Sequence, residues 1–439
     1  MNIQADKERG YFVVIGCNVW YNRTANVKLR KGFSKARLGS RHMRENSGLS
    51  AAKTAKNDEF YTQYVDIQKE VNAYLEYNKD VFRGKTVLLP CDDPEWSNFT
   101  KFFAQNFEML GLKKLISTSY ASASKKVEYH QITLFELNSP QYDEEKTETH
   151  GKIFTLDKDL DDSGRIDIND LEWSYLEGDG DFRSDEVKKL RDEADFIITN
   201  PPFSQFRDFL NWIMEAQKQF LIIGNINCIT YKEVFPQIER NKIWLGNGMG
   251  RWISGFIVPD NYELYGTEAR IEDGKRIVAT NNCLWLTNID HGRRHQPLHL
   301  MTMADNLKFS RHKQVRETKY PKYDNYDAID VPFTDAIPKD YDGVMGVPIT
   351  FLDKYNPDQF EILGATQRGC HDRFPDTKKY DDYWEMRQDG TKTGSSGGKT
   401  NENANIEMND GKKNYFINND GHIIQSTYQR IFIRKRKSE

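Results

Sequence analysis

Residues 195–203 read Asp-Phe-Ile-Ile-Thr-Asn-Pro-Pro-Phe, and this stretch decides the fold class. The apolar run 196–198 predicts a buried strand, and residues 206–213 follow with the apolar spacing of an amphipathic helix. A loop that joins the carboxyl end of a strand to a helix is where open α/β sheets bind their ligands. Residues 200–203 are therefore the first candidate for a functional site.

The chemistry of this loop suits a planar amino group that attacks a methyl donor. The amino group of adenine is a poor nucleophile, because its lone pair is delocalised into the ring. The side-chain oxygen of Asn200 and the carbonyl of Pro201 would accept its N–H groups and stabilise the positive charge that grows on nitrogen. Pro201 and Pro202 favour extended backbone, and Phe203 offers a ring face for the base. We predict that these four residues are catalytic, although an isolated Asn-Pro-Pro is usually only a loop.

Length and composition predict a globular protein of two domains. The chain has 439 residues with 38% hydrophobic and 13% aromatic residues, and no apolar run approaches the length of a membrane span. Residues 1–10 are charged and lack the apolar core of a signal peptide. The five scattered cysteines support neither a disulfide framework nor a zinc site. We predict a cytoplasmic monomer that does not associate with a membrane.

The net charge of −4 conceals a strong asymmetry along the chain. Residues 1–56 hold twelve Lys/Arg against three acids, and basic residues return at 293–322 and 430–437. Acids concentrate between residues 143 and 195. Basic ends on a near-neutral chain are compatible with a polyanion partner, although any one cluster can be ordinary solvated surface. In residues 293–326, Lys and Arg combined with aromatic residues favour a DNA groove.

The pattern along the chain divides it into three parts. Residues 1–47 indicate a basic extension, with one apolar stretch at 11–19. From about residue 58 strands alternate with helices, which predicts a largely parallel, doubly wound α/β sheet. The predicted strands lie at 86–90, 115–118, 196–199, 220–225, 242–246 and 282–288. Beyond about residue 295 short aromatic and proline-containing stretches replace this rhythm and indicate a second domain.

An acidic segment at 159–170 resembles an EF-hand loop at several positions. It reads Asp-Leu-Asp-Asp-Ser-Gly-Arg-Ile-Asp-Ile-Asn-Asp, so Asp170 replaces the bidentate Glu of the twelfth position. The flanking residues do not read as clear helices. A single loop in an acidic insertion is more often a surface turn than a calcium site. We therefore predict no metal site.

Several long strings are similar to those of one enzyme family, the EcoRI-type modification methylases. These strings include DEFYTQY at 58–64, CDDPEWSNF at 91–99, GDGDFRS at 178–184, TNPPFS at 199–204 and GFIVPDNYELYGTEARI at 255–271. The similarity extends from about residue 57 to about residue 364. It implies a doubly wound, Rossmann-like, S-adenosylmethionine-dependent methyltransferase sheet with a C-terminal target-recognition domain. By this resemblance, residues 48–295 would form the catalytic domain and residues 296–439 the DNA-binding domain.

The resemblance also implies roles for individual residues. The catalytic loop would be Asn200-Pro201-Pro202-Phe203, and the cofactor S-adenosylmethionine would be held by three further segments. The first segment would hold the methionine end of the cofactor and contains Asp58, Phe60, Tyr61, Thr62 and Gln63. The second segment follows the first strand and contains Asp92 and Asp93. The third segment would contact the adenine of the cofactor and contains Asp181 and Phe182. The usual glycine-rich first loop is absent, and no acid follows the strand 115–118 to bind the ribose.

The activity that the resemblance implies is site-specific methylation of adenine N6 in double-stranded DNA. The target adenine would be flipped out of the duplex, because a stacked base cannot present its amino group to the methyl donor. The enzyme would serve a restriction–modification system or act as an orphan or phage methylase. Two alternatives remain open: a methyltransferase that acts on RNA or on a protein glutamine amide, and a catalytically silent DNA-binding protein.

Overall fold

The computed structural model describes residues 60–91, 97–121, 141–249, 253–258, 264, 269–278, 282–366, 378, 380–381, 384–396, 403–409 and 414–436. These residues belong to one compact unit, Gly48–Glu439. The predicted extension 1–47 lies outside the described residues. So do three of the residues predicted to bind the cofactor, Asp58, Asp92 and Asp93.

Strands and helices alternate through the first half of the described chain, and strands dominate the second half. The strands are β1 Tyr61–Thr62, β2 Thr86–Leu89, β3 Lys114–Ser119, β4 Lys152–Leu156, β5 Glu172–Tyr175, β6 Phe196–Thr199, β7 Gln219–Asn225, β8 Trp244–Met249, β9 Phe256–Val258, β10 Arg270–Glu272, β11 Lys275–Val278, β12 Cys283–Thr287, β13 Ile329–Asp330, β14 Met345–Pro348, β15 Phe360–Ala365, β16 Trp384–Met386, β17 Lys392–Ser396, β18 Asn405–Glu407, β19 Phe416–Ile417, β20 Ile423–Ser426 and β21 Arg430–Lys435. The helices are α1 Tyr64–Tyr77, α2 Asn98–Gln105, α3 Phe107–Leu110, α4 Glu144–Thr149, α5 Asp185–Glu193, α6 Phe206–Glu215, α7 Phe235–Glu239, α8 Met303–Phe309 and α9 Lys313–Thr318.

The main sheet has eight strands in the order β5-β4-β3-β2-β6-β7-β12-β8. Its four central strands, β3, β2, β6 and β7, are parallel, whereas the pairs β3–β4, β4–β5, β7–β12 and β12–β8 are antiparallel. The prediction of a largely parallel sheet is therefore correct only for the centre. Helices α2 and α6 provide the crossovers that parallel neighbours require, and no α-helix separates β4 from β5, which pair antiparallel.

Both faces of the main sheet are covered, because consecutive residues of a strand point to opposite sides. In β2, Val87 and Leu89 belong to the hydrophobic cluster that includes residues of α1 and α2, whereas Leu88 belongs to the cluster that includes residues of α5, α6 and α7. The strand residues at these positions are fully buried. Near-continuous apolar strands with helices on both faces are typical of the parallel part of α/β sheets.

Among the described residues, four smaller sheets accompany the main sheet, and two of them have four strands each. The first has the order β1-β9-β11-β10, and the second has the order β13-β14-β21-β15 and belongs to the C-terminal half. The core on the α6 face continues without interruption into the second sheet and contains Val347, Ile362 and Ile433. Apolar packing thus crosses the predicted domain boundary near residue 295, and the division into a catalytic and a recognition domain stays a prediction.

The edge of the main sheet at β8 is covered by the chain that follows β12. The Nε2 atom of His291 donates a hydrogen bond of 3.0 Å to the carbonyl of Leu245, and Arg293 donates to the carbonyl of Asn247. Side chains that occupy the free carbonyls of an edge strand prevent it from pairing with another chain. Among the described helices, none has the length and hydrophobicity of a membrane span.

Candidate active site

The loop after β6 begins where a hydrogen bond joins the carboxyl ends of two parallel strands, β2 and β6. The hydroxyl of Thr199, the last residue of β6, donates a hydrogen bond of 2.7 Å to the carbonyl of Pro90 directly after β2. Pro201 is buried and Pro202 is half-buried. A 3-10 turn over Phe203–Gln205 then leads into α6. The strand, loop and helix predicted from the sequence are thus confirmed, and the loop occupies the carboxyl edge of the parallel strands.

The side-chain amide of Asn200 is held in one orientation. Its Nδ2 atom donates a hydrogen bond of 2.7 Å to the carbonyl oxygen of Phe60. Because a carbonyl oxygen only accepts hydrogen bonds, this contact places the amide nitrogen towards Phe60 and leaves Oδ1 as the free acceptor. That Oδ1 atom is buried and has no hydrogen-bond partner among the described residues. A buried acceptor without a partner costs free energy, which an N–H donor of a bound substrate would recover.

Three aromatic rings from the loop, the segment before β1, and β9 lie close to one another. The ring centroids of Phe60 and Phe203 are 5.9 Å apart, and Phe256 of β9 lies 5.9 Å from Phe60 and 6.3 Å from Phe203. Phe256 is fully buried, whereas Phe60 and Phe203 are only half-buried. Phe203 is therefore partly accessible in the loop that carries the candidate acceptor.

The segment 60–63 is fixed by contacts with two other elements. Tyr61 and Thr62 pair in antiparallel fashion with Ile257 and Phe256, and Asn98 at the start of α2 donates a hydrogen bond of 2.8 Å to the carbonyl of Thr62. The hydroxyl oxygen of Thr62 is buried and lacks a hydrogen-bond partner within the part of the chain that the structure describes. Of the predicted cofactor residues in this segment, Thr62 thus presents a free polar atom.

Gln63, in contrast, uses its amide nitrogen inside the protein. Its Nε2 atom donates to the hydroxyl of Ser254 at 2.6 Å and to the carbonyl of Gly255 at 3.2 Å. Both N–H groups of that amide are therefore engaged, so this nitrogen is not available to a ligand in the observed arrangement.

A second group of polar residues surrounds Asp181. Arg183 donates to the carboxylate from its Nε atom at 2.9 Å and from its backbone N–H at 2.8 Å, and the hydroxyl of Tyr120 also donates to it. Burial acts to raise the pKa of Asp181, but the hydrogen bonds from Arg183 and Tyr120 outweigh it and lower the pKa to about 2. The carboxylate is therefore ionised at neutral pH, and its side chain is 22% exposed. It remains accessible as an acceptor for the donors of a ligand.

The ring of Phe182 is buried in the core, although the sequence predicts that it contacts the cofactor. Its side chain is only 1% exposed, and its ring packs edge-on against Phe209 at 5.1 Å and Trp212 at 5.6 Å. In this arrangement the ring belongs to the core below α6. Contact of Phe182 with a cofactor stays a prediction, and the structure shows no open ring face for it.

The segment that carries Asp181 packs closely against the end of β3. Gly180 has a φ of 84°, and a Cβ atom at this position would lie 2.2 Å from the carbonyl oxygen of Ser119. Only glycine combines this backbone conformation with such a close approach. The backbone N–H of Ala121 donates to the carbonyl of Asp179 at 2.8 Å. These contacts bring Asp181 to the same edge of the sheet as the end of β3.

The structure therefore divides the predicted site residues into groups. Asn200, Phe203, Phe60 and Thr62 come together, and Asp181 lies at the end of β3, two strands away from β6. The sequence analysis missed Phe256 and Arg183. The Asp-x-Arg spacing of residues 181–183 would have indicated the ion pair, whereas no local pattern identifies Phe256.

The acidic loop at 159–170, which resembles an EF-hand loop in sequence, brings three carboxylates together. Carboxylate oxygens of Asp159, Asp161 and Asp170 lie within 4.8 Å of one another. Asp170 accepts hydrogen bonds from three backbone N–H groups, including one of 2.7 Å from Leu160. These bonds explain the loop geometry without an ion, and the prediction that no metal is needed stays a prediction.

Comparison with known proteins identifies the family. Residues 48–436 match the family described as "Adenine-specific methyltransferase EcoRI". The chain belongs to this family. The Type II methyltransferase M.EcoRI of Escherichia coli is 48% identical over 319 residues, which cover 72% of this chain and 89% of that relative. Over 318 residues, M.MpnI of Mycoplasma pneumoniae is 35% identical and M.MgeORF184P of Mycoplasma genitalium is 34% identical; both alignments cover 72% of this chain, with 84% and 85% of the respective relatives.

The resemblance seen in the sequence strings is thus confirmed. As a member of the EcoRI methyltransferase family, the chain is an adenine-specific methyltransferase and requires a methyl donor. No solved structure matches the chain. The assignment of individual site residues therefore depends on the geometry described above.

Proposed function

We propose that this enzyme transfers a methyl group from S-adenosylmethionine to N6 of an adenine that is flipped out of double-stranded DNA. The main support for this proposal is the side chain of Asn200. Its buried Oδ1 atom has no hydrogen-bond partner among the described residues, while its Nδ2 atom donates to the carbonyl of Phe60. The lone pair of an adenine amino group becomes more available for attack when an acceptor forms a hydrogen bond with its N–H group. The same acceptor stabilises the positive charge that develops on the nitrogen during attack.

The residues of the loop have separate tasks in this proposal. Asn200 Oδ1 and the carbonyl of Pro201 accept the two N–H groups of the target base, and the half-buried ring of Phe203 stacks on it. Phe60 orients the amide of Asn200 through its carbonyl. The base must leave the helix to reach such an enclosed site, at a cost of a few kcal/mol for unpairing and unstacking.

The residues at the carboxyl edge fit S-adenosylmethionine. The buried hydroxyl oxygen of Thr62, for which the described residues provide no partner, suits the polar methionine end, and the ionised Asp181 suits an N–H or O–H donor of the nucleoside end. When bound, S-adenosylmethionine supplies an electrophilic methyl group on a sulfonium. Asp58, Asp92, Asp93, Phe60, Tyr61, Gln63 and Phe182 remain proposed contacts on the basis of the family resemblance.

We further propose a division of labour along the chain. Residues 48–295 would form a Rossmann-like catalytic domain, and residues 296–439 would recognise the target sequence. The sheet β13-β14-β21-β15 provides the folded frame that base-specific hydrogen bonds need. We expect the enzyme to act as a cytoplasmic monomer in a restriction–modification system or as an orphan or phage methylase.

The decisive experiment maps N6-methyladenine in genomic DNA from cells that express the protein, with the Asn200→Ala variant as the matched control. We expect methylated adenine at one recurring sequence in the first culture and none at that sequence in the second. Purified enzyme with labelled S-adenosylmethionine then separates the alternatives. Transfer to RNA or to a glutamine-containing protein, but not to duplex DNA, would contradict the proposal, and DNA binding without any transfer would indicate a silent binding protein.

A further inference from the structure

Ser254 connects the start of α1 to the small sheet beside the active site. Its backbone N–H and its hydroxyl both donate to Oδ2 of Asp66, at 2.8 Å and 2.7 Å. The same hydroxyl accepts the hydrogen bond from Gln63, and its carbonyl accepts one of 3.2 Å from Arg270. Every polar group of Ser254 is therefore used, and two of them bind one carboxylate.

Asp66 is buried, which is unusual for an aspartate. It lies in the first turn of α1, is only 1% exposed, and its Oδ1 atom is buried with no partner among the residues described. Burial of a carboxylate costs free energy that two hydrogen bonds recover only in part. A contribution to the stability of the fold therefore explains the contact between Asp66 and Ser254 poorly, and control of the position of Ser254 explains it better.

The position that Asp66 controls is linked to the catalytic amide. Ser254 is followed by β9, where Phe256 pairs with Thr62 and Ile257 pairs with Tyr61. This pairing places the preceding carbonyl, that of Phe60, to which Asn200 donates its amide hydrogen. Phe256 also contacts the rings of both Phe60 and Phe203.

We propose that Asp66 is a positioning residue that orients the Asn200 amide through Ser254, β9 and the carbonyl of Phe60. This inference rests on the proposed function, because it assumes that Asn200 Oδ1 accepts from the reacting amino group. Loss of the Asp66 carboxylate removes the two hydrogen bonds that Ser254 donates, so we expect β1 and the Phe60 carbonyl to shift relative to the loop. A small misplacement of a catalytic group costs up to about a hundredfold in rate.

The test is a double-mutant cycle with single-turnover methylation of duplex DNA at saturating S-adenosylmethionine. We expect Asp66→Ala to slow methyl transfer about ten- to a hundredfold at saturating S-adenosylmethionine, where a change in cofactor affinity through Thr62 does not affect the rate. Asp66→Asn keeps one oxygen acceptor for Ser254 and should recover most of the rate. In an Asn200→Ala background, Asp66→Ala should cause little further loss, because both changes affect the same interaction.

Two further variants keep the test decisive. Ser254→Ala removes only the hydroxyl bridge and should reproduce part of the loss even if Asp66→Ala does not fold. Asp170→Ala is the matched control, because Asp170 is also buried and accepts backbone N–H bonds, but in the acidic loop; it should lower stability without slowing transfer. Equal losses in the presence and absence of Asn200, or a loss that merely follows thermal stability, would overturn the inference. A wild-type enzyme that fails to methylate duplex DNA would instead contradict the proposed function.

Discussion

Asn200 donates its side-chain N–H to the carbonyl oxygen of Phe60 over 2.7 Å, although the two residues are 140 positions apart in the chain. The contact joins the candidate catalytic loop to the segment that the family resemblance assigns to the cofactor. It also fixes which atom of the amide faces the site, because only the nitrogen can bond to a carbonyl. The candidate site therefore depends on the relative placement of β1 and β6.

Replacement of Asn200 by Ala should abolish most turnover and leave cofactor binding nearly intact. The removed acceptor acts mainly as charge develops on the target nitrogen, so the expected loss is about a hundred- to a thousandfold in rate. Single-turnover kinetics measure the rate, and calorimetry measures cofactor affinity. Retention of more than half of the wild-type rate would contradict the assigned role.

Asp181→Ala should raise the dissociation constant for S-adenosylmethionine, with a smaller effect on DNA affinity. The carboxylate is ionised, because the hydrogen bonds from Arg183 and Tyr120 lower its pKa to about 2 against the opposing effect of burial. Its ion pair with Arg183 is partly exposed, with 53% of the arginine side chain accessible, so we expect little change in stability. Calorimetric titration that finds unchanged cofactor affinity would refute this role, and a thermal unfolding curve serves as the control.

Glu70 should make the stability of the protein depend on pH. Burial raises its pKa to about 7 from 4.5, although the N–H of Asn247 and the hydroxyl of Tyr74 donate to Oε1. Because the folded state holds this proton more tightly than the unfolded state, the stabilisation present below about pH 4.5 is lost as the pH rises to about 7. This difference of about 2.5 between the two pKa values (7 minus 4.5) corresponds to a change of about 3 kcal/mol in the free energy of unfolding.

Glu70→Gln should remove this dependence, because the amide keeps an oxygen acceptor and carries no charge. Urea unfolding at pH 5 and pH 8, analysed as wild type minus variant, should show the wild type losing stability relative to Glu70→Gln at the higher pH. A difference that is equal at both pH values would show that Glu70 titrates as an ordinary carboxyl group.

Deletion of residues 1–45 should weaken DNA binding and reduce its dependence on salt, without changing the sequence that is methylated. We expect this basic segment to contact phosphates, and each neutralised phosphate adds roughly 0.9 to the slope of log affinity against log salt. Anisotropy titrations at several salt concentrations, with cognate and scrambled duplexes, measure this slope. An unchanged slope would show that the segment does not contact DNA, and an altered target sequence would contradict the assignment of base recognition to residues 296–439.

Chelators should not reduce methyl transfer, because the oxygens of the acidic loop at 159–170 already accept backbone N–H bonds. Oδ2 of Asp159, for example, accepts a hydrogen bond of 2.7 Å from Gly164. The assay compares activity in EGTA with activity in added calcium. Activity that collapses in EGTA and returns only with calcium would establish the loop as a functional calcium site.

Local sequence patterns were sufficient to predict the elements that carry the site. The strand predicted at 196–199 is β6, and the predicted amphipathic helix is α6, because the apolar periodicity of each element depends only on neighbouring residues. The edge strand was less well predicted: residues 242–246 were expected, and β8 spans Trp244–Met249. Its boundaries depend on pairing with β12 and on the side chains of His291 and Arg293, which local propensity does not describe.

The candidate loop after β6, the central α/β alternation and the family were predictable from the sequence, because each is encoded in contiguous residues. The folded arrangement was needed to show that the carbonyl of Phe60 holds the Asn200 amide, that Asp66 accepts two hydrogen bonds from Ser254, and that Phe182 belongs to the core. These relationships connect residues that are far apart in the chain, as in the 188 positions between Asp66 and Ser254. Side-chain identity specifies which hydrogen bonds a residue is able to make, but the pairing of β1 with β9 and the packing of α6 determine which ones form.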